Sequence, residues 1–362
     1  MGSITERRRG NGSIAYRAAV VIRRDGKRHT FTQTFDREQA AKRWISKKER
    51  ELAAPGGLER ATTPAETLGN AIDRYLSESR TAVGKTKAQV LETIKGCDLA
   101  SLPCAEITSD TLVQFAHEIS EGRKPQTVGN YLSHLSAIFA IARPAWGLPL
   151  DRQAMQDAMI VARRMGLISK SAKRERRPSV EEMDKLMSHF ADRHLRGRSL
   201  PMHHVCAFAL FSTRRQEEIL RISWDDLEAD HSRVLVRDMK HPGEKIGNDI
   251  WCELTPEALS IALAQARVTG ERRIFPFSTD AVSASFTRAC KLLGIEDLHF
   301  HDLRHEGVSR LFEMGRTIPQ AASVSGHRSW QSLQRYSHLR TTGDKWLDWA
   351  WLPRITAASH TM

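Results

Sequence analysis

The hydrophobic period of this chain changes twice, and those changes limit how its 362 residues can be divided into folding units. Between Gly12 and Ile22 the apolar residues alternate. Ile14, Tyr16, Ala18, Val20 and Ile22 share one face, the pattern of a half-buried strand. Asp25-Gly26 is a hairpin turn signal, and Phe31, Gln33 and Phe35 share a face of a second strand. Asp36 then predicts a helix cap, with Gln39 completing a capping box. Ala41, Trp44, Ile45 and Leu52 give that helix an apolar side, and Pro55-Gly56-Gly57 ends it. From residue 64 the spacing becomes helical. Leu68, Ala71, Ile72, Tyr75 and Leu76 form one stripe, and Leu112, Phe115, Ala116 and Ile119 a second. Val128, Tyr131, Leu132, Leu135, Ile138 and Phe139 form a third. Beyond a basic joint the two periods mix: Ser179 with Glu182 caps a helix, Val205–Leu210 starts a buried helix, and Val234–Val236 and Ile250–Leu254 read as short strands. A chain of this length exceeds a single core. The expected organisation is multidomain: a basic ββα unit over 1–58, an all-α unit over 64–168, a mixed α+β unit over 174–341, and a tail over 342–362.

Charge is unevenly spread over these units. The chain carries 55 Lys+Arg against 43 Asp+Glu, a net +12, and residues 1–60 supply +8 of it. A unit that small and that basic suits reading DNA better than housing an enzyme core. Its candidate contacts are Arg23, Arg24, Lys27 and Arg28, with Lys85, Lys87 and Lys124 on the polar faces of the helical unit. In the joint, Lys173, Arg174, Arg176 and Arg177 either touch a DNA backbone or form a solvated linker. Cys97, Cys104, Cys206, Cys252 and Cys290 are scattered and form no CxxC pair, which fits a reducing, cytoplasmic compartment. The N-terminus lacks an apolar leader core, and no apolar run approaches the ~18 residues a membrane helix needs. No membrane partner is expected.

The sequence holds no GxxxxGK[ST] phosphate loop, no HExxH and no acidic cluster for paired metals, so no cofactor is expected. A protein hydroxyl can still cut DNA. Its attack exchanges one phosphoester for another, which conserves bond energy. The transition state then requires cationic hydrogen-bond donors, best supplied by bidentate arginines, and a proton for the leaving 5′-oxygen. The third unit contains such a set. Phe211–Asp226 reads FSTRRQEEILRISWDD, His299–Arg310 reads HFHDLRHEGVSR, and Ser325–Leu339 reads SGHRSWQSLQRYSHL.

These segments resemble the tyrosine recombinase, or phage integrase, family, whose first arginine box is TGxRxxE(I/L)xxLxW. Arg215, Glu218, Ile219, Ile222 and Trp224 fit it in register. The second box, HxxR followed by GH and then Tyr nine residues on, is met by His301, Arg304, Gly326, His327 and Tyr336. Lys240, between the two strands, matches the family's hairpin lysine. The stretches IEDLHFHDLRHEGVSRLFEMG and SGHRSW are most similar to shufflon-type recombinases and prophage integrases. The resemblance implies that Tyr336 attacks to form a 3′-phosphotyrosyl link while Arg215 and Arg304 hold the non-bridging oxygens. It implies that Lys240 protonates the leaving oxygen, His301 acts as general acid and base, and His327 bonds the phosphate. It further implies an arm-binding first unit and a C-shaped clamp of helical and catalytic domains on double-stranded core DNA. The expected assembly is a homotetramer on two sites, monomeric in solution, with DNA-bending or excisionase proteins as further partners.

Ser212-Thr213 replaces the family's Thr-Gly, which puts the turn presenting Arg215 in question and leaves Arg214 beside it. Ser325 stands where Leu usually precedes Gly-His. Some readings stay open. Arg215 is either a phosphate ligand or a partner of Glu217 or Glu218. Lys245 competes with Lys240 as the acid. His299, His301 and His305 have a spacing that also suits a metal. Glu218 and Asp225 read as supports of the site and Trp224 as core. The tail helix, with Trp346 and Trp349 on one side, packs either on its own domain or on a neighbouring protomer. Rivals to an integrase are a DNA invertase, a type IB topoisomerase and a non-catalytic DNA-binding regulator.

Overall fold

A computed structural model describes residues 2–8, 13–24, 27–55, 58, 61, 66–80, 83–171, 174–197, 200–239 and 247–357. The chain divides into two compact units, 1–172 and 173–362. Among the described residues no helix is long and apolar enough to cross a membrane.

The first unit opens with three strands where the sequence predicted two. β1 (Gly2–Arg8), β2 (Ile14–Arg24) and β3 (Lys27–Phe35) form an antiparallel sheet in that order. β1 is an edge strand, paired from Gly2 against Val20 to Arg8 against Ile14, and is mostly exposed. Backbone bonds hold it, so it carries no apolar alternation to reveal it. The turn residues Asp25 and Gly26 lie outside the described residues. α1 (Glu38–Ala53) starts from Arg37, without a side-chain cap. The capping box expected of Asp36 and Gln39 is therefore corrected; Glu38 in the first turn complements the helix dipole instead. Val20, Leu52 and Leu58 form a small core, joined by Trp44 and Phe31.

The three helical stripes all turn inward. α2 (Leu68–Glu78), α3 (Lys85–Lys95), α4 (Ser109–Ser120), α5 (Pro125–Trp146) and α6 (Arg152–Arg164) enclose a separate core. Thr67 with Asn70 and Thr108 with Thr111 cap two of these helices reciprocally.

In the second unit, the expected Ser179–Glu182 capping box opens α7 (Val180–Leu195). α8 (Met202–Ser212) is apolar all round and nearly wholly buried, which makes it the central helix. A short turn of helix, α9 (Gln216–Ile219), follows it. β4 (Leu227–Glu228), β5 (Arg233–Val236) and β6 (Ile250–Glu253) form a small antiparallel sheet in sequence order. α10 (Pro256–Leu263), α11 (Thr279–Leu292), α12 (Phe300–Glu313), α13 (Ile318–Ser325) and α14 (Gln331–Gln334) complete the fold before the tail. α12 crosses α8 almost backbone to backbone. A Cβ on Gly307 would lie 2.0 Å from the Leu210 carbonyl oxygen.

In the single chain the tail, described through Ala357, packs on its own domain. Trp346, Trp349, Trp351 and Ile355, the last in α15 (Leu352–Thr356), are buried in the core around α8. Trp346 Nε1 donates to Glu306 at 2.9 Å and Trp349 Nε1 to Asp184 at 2.7 Å. Both aromatic faces are thus used internally, and of this stretch Leu347 is the large apolar residue left exposed. Trp346→Ala is expected to destabilise the second unit by about 3–5 kcal/mol, read from denaturant unfolding of the full chain.

Candidate active site

Everything that bears on catalysis among the described residues lies in the second unit and begins where α8 ends. Thr213, at φ 57, holds the left-handed conformation that the family pattern assigns to glycine. The turn therefore survives the replacement, at a cost of about 1–2 kcal/mol for a residue with a Cβ. The two arginines that follow diverge. Arg214 is fully buried and donates to the Ser212 oxygen at 3.1 Å, to Cys252 Sγ at 2.9 Å and to the Val324 oxygen. Arg215 keeps 28% of its side chain exposed while NH1 pairs with Glu218 Oε1 at 2.6 Å. Arg214 is thus a brace, and Arg215 the arginine left partly open to solvent. Burial pushes the Glu218 carboxyl up, but Arg214, Arg304 and Arg215 together hold it below the usual carboxylate range. Glu218 is the support the sequence suggested. Asp225 is not: its side chain is 65% exposed, 3.6 Å from Arg272. Its neighbour Asp226 is buried instead, accepting from Ser223 Oγ at 2.6 Å and Arg237 Nε at 2.8 Å. Trp224 is partly buried against the core, with Arg267 4.5 Å from its ring.

α12 supplies the second cationic group. Arg304 is buried and donates to the Thr213 oxygen, on the turn that presents Arg215. Its NH2 also donates to the Ser325 oxygen at 3.1 Å and lies 3.2 Å from His327 Nε2. Ser325 Oγ sits 2.7 Å from His327 Nδ1, so the Leu-to-Ser departure supplies a bond that orients the imidazole. Gly326 turns the chain at φ +68, where a Cβ would fall 2.6 Å from Met239 Cε. His301 stands one turn before His305 on α12 and remains exposed.

These groups are over-charged for a protein interior. Burial, then Arg214 and Arg215, pull the Arg304 guanidinium down to about 9. Burial, then Arg304 and Arg215, push His327 down to about 3; partial desolvation of the packed side of the His301 ring, then the same two arginines, hold it below its ordinary value even though its outer side is open to solvent. Three guanidiniums share one buried carboxylate. The arrangement calls for an anion with several oxygens, and it keeps the imidazoles neutral until that anion arrives.

Tyr336 approaches α12 from the segment after α14. Its ring is buried and stacks on Phe312 at 6.1 Å, within 14° of parallel. Its hydroxyl lies 2.5 Å from His305 Nδ1. Burial holds the phenol above its ordinary value against the opposing pull of Arg335, Arg304 and Arg177. The structure thus gathers Arg215, His301, Arg304, His327 and Tyr336 in one unit. Lys240 and its competitor Lys245 lie outside the described residues. Sequence reasoning missed His305. Its signal was the i, i+4 spacing from His301, which was weighed as a metal motif; among the described residues no group of three or more His, Cys, Asp and Glu is placed to hold a metal.

The joint is put to a use the sequence did not suggest. Arg174 pairs with Asp302 at 2.7 Å and Asp297 at 2.9 Å, and Arg176 with Glu182 at 2.5 Å. Arg177 pairs with Glu306 and Glu313, each at 2.6 Å. In the free chain these three arginines are internal ties, to α12, to the turn before it and to the start of α7, rather than a freely solvated linker. Lys173 lies outside the described residues. Arg23, Arg24, Lys27, Arg28, Lys85 and Lys124 are exposed. Lys87 is half-buried over the Tyr75 ring at 4.4 Å and bonds its hydroxyl.

The sequence model of the Phage integrase family matches residues 177–342. The shufflon-specific DNA recombinase of Escherichia coli is 30% identical over 288 residues, covering 76% of this chain and 69% of that protein. The chain belongs to the phage integrase family. Its members are tyrosine recombinases, enzymes that transfer DNA strands. The tyrosine recombinase XerC of Corynebacterium glutamicum is 22% identical over 305 residues, covering 79% of this chain and 92% of that one. Among solved structures, a lambda integrase dimer bound to a COC′ core site superposes with a TM-score of 0.59 at 21% identity, over 92% of this chain and 94% of the other. The Tn1549 transposon integrase in complex with circular intermediate DNA gives 0.59 at 12% identity, over 76% and 95%. At such identities these two establish a shared fold.

Proposed function

We propose that this family member is a site-specific recombinase that cuts and rejoins double-stranded DNA through a 3′-phosphotyrosyl link at Tyr336, integrating or excising a mobile element. The observation that carries the reading is the triad of guanidiniums around Glu218, with Arg304 bridging the Arg215 turn and His327. A dianionic phosphorane is the ligand that relieves this field. In this reading Arg215 and Arg304 hold the non-bridging oxygens, His327 bonds the phosphate, His301 moves protons, and Lys240 protonates the leaving 5′-oxygen. Residues 1–58 act as an arm-type DNA-binding domain through Arg23, Arg24, Lys27 and Arg28. Residues 64–168 act as the core-binding domain, with Lys85 and Lys124 toward the backbone. The working assembly is a tetramer on two sites, with DNA-bending or excisionase proteins as accessory partners. Inversion of a DNA segment is the second reading, favoured by the 30% identity to a shufflon-specific recombinase.

The test is a nicked suicide substrate drawn from DNA flanking the gene. The wild-type chain should trap a covalent complex that Tyr336→Phe does not form. Strand exchange between two paired sites is then expected; relaxation of supercoils without exchange would favour the topoisomerase rival. Absence of any adduct from the wild type would refute both enzymatic readings.

A further inference from the structure

We infer that His305 takes the phenolic proton of Tyr336 when the strand is cut and returns it when the strand is rejoined, an inference resting on Tyr336 as nucleophile. The geometry places the acceptor. His305 Nδ1 lies 2.5 Å from the Tyr336 hydroxyl, so a ring protonated on Nε2 presents a lone pair to the phenol. The ring is fixed by α12, one residue from Arg304, and meets the His301 ring edge-on at 4.9 Å. His301 is exposed, which gives a proton held on His305 an outlet to solvent.

The surroundings explain why this base works only with DNA in place. On its own helix His305 faces His301, Asp302 and Arg304. Across a cavity of about 330 Å³ it faces Arg174, Glu175 and Arg177 from the joint, and Arg335 and His338 from the segment of Tyr336. Burial, then His301, Arg335 and Arg304, hold the imidazole down to about 4 against the opposing pull of Asp302, and burial holds the phenol above its ordinary value, so the free protein keeps His305 neutral and Tyr336 protonated. A phosphate on Arg304 and Arg215 offsets part of that positive field, and the basicity of His305 rises as the substrate binds. The step balances. The phenolic O–H electron pair becomes the new O–P bond while the proton passes to Nδ1. The P–O5′ bond breaks, and its oxygen is protonated by the acid assigned to Lys240. Religation runs the same transfers backward.

Single-turnover cleavage of the suicide substrate by the full chain, from pH 5 to 10, tests this. His305→Gln should cleave about 10²-fold more slowly at pH 7. Its rate should climb about tenfold per pH unit as hydroxide takes over the proton, while the wild type is flat there. A bridging 5′-phosphorothiolate, whose leaving group needs no acid, should leave the His305→Gln defect in place. His305→Ala opens space beside the cavity, and added imidazole should restore cleavage; a purely structural histidine would not respond. Rescue by the phosphorothiolate, or a His305→Gln profile parallel to wild type, would overturn the inference. If His305→Gln does not fold, imidazole rescue of His305→Ala decides, and its failure in folded protein counts against the proposal. Failure of the nucleophile reading looks different: the wild type then gives no adduct at any pH.

Discussion

Arg304→Gln is expected to cleave DNA about 10³-fold more slowly than wild type, without a fall in melting temperature. The two effects have one origin. Arg304 is a buried cation facing Arg214 and Arg215, with Glu218 as the carboxylate that offsets it. The free fold disfavours its charge, which is why its guanidinium is pulled down to about 9. Substitution loses the bonds to the Thr213 and Ser325 oxygens, but the glutamine amide can restore one of them. What it cannot restore is a bidentate cation for the phosphorane, and Arg304→Lys should fail for the same geometric reason. Single-turnover cleavage and a thermal melt on the same preparation check both halves. A variant that loses stability and activity together would show that Arg304 acts chiefly as a brace, as Arg214 does.

Gly307→Val should abolish the cooperative unfolding transition of the second unit, a loss of more than about 4 kcal/mol. Helix propensity predicts the opposite sign for the milder Gly307→Ala, a gain of about 1 kcal/mol. Packing wins because the added Cβ would sit 2.0 Å from the Leu210 oxygen and about as near the Thr213 methyl as contact allows, at 3.0 Å. The first of these is backbone, which cannot rotate away. Separating α12 from α8 would also pull Arg304 from the Thr213 turn, so Gly307→Ala should lose cleavage before it loses helicity. Circular dichroism melts of both variants test this, and a wild-type melt for Gly307→Ala would mean that α12 slides without penalty.

Much of this arrangement was legible in the residues, and the exceptions have physical reasons. The register choosing Arg215 over Arg214 could be read because Glu218 and Trp224 fix it, and the structure separates the two by burial. The helical stripes were legible because each apolar face has a core to enter. β1 was not, since an edge strand is held by backbone bonds and leaves no side-chain period. Arg174, Arg176 and Arg177 look in sequence like a charged linker. Their partners Asp302, Glu182 and Glu306 stand far away in the chain or one turn into a helix, and the ion pairs exist only once the fold is made. The tail was ambiguous for the same reason: a Trp stripe states that it must be covered, not by which protomer. His305 escaped notice because its partner is a tyrosine 31 positions away.

Every catalytic role proposed above depends on Tyr336 being the covalent nucleophile. Trapping the chain on a nicked suicide substrate, digesting it and sequencing the DNA-linked peptide by mass spectrometry tests this most directly. One modified peptide is expected, from the segment SLQRYSHLR, with the nucleotide on Tyr336 and none recovered from Tyr336→Phe. A nucleotide on Tyr16, Tyr75, Tyr131 or any serine, or an adduct that persists in Tyr336→Phe, would contradict it.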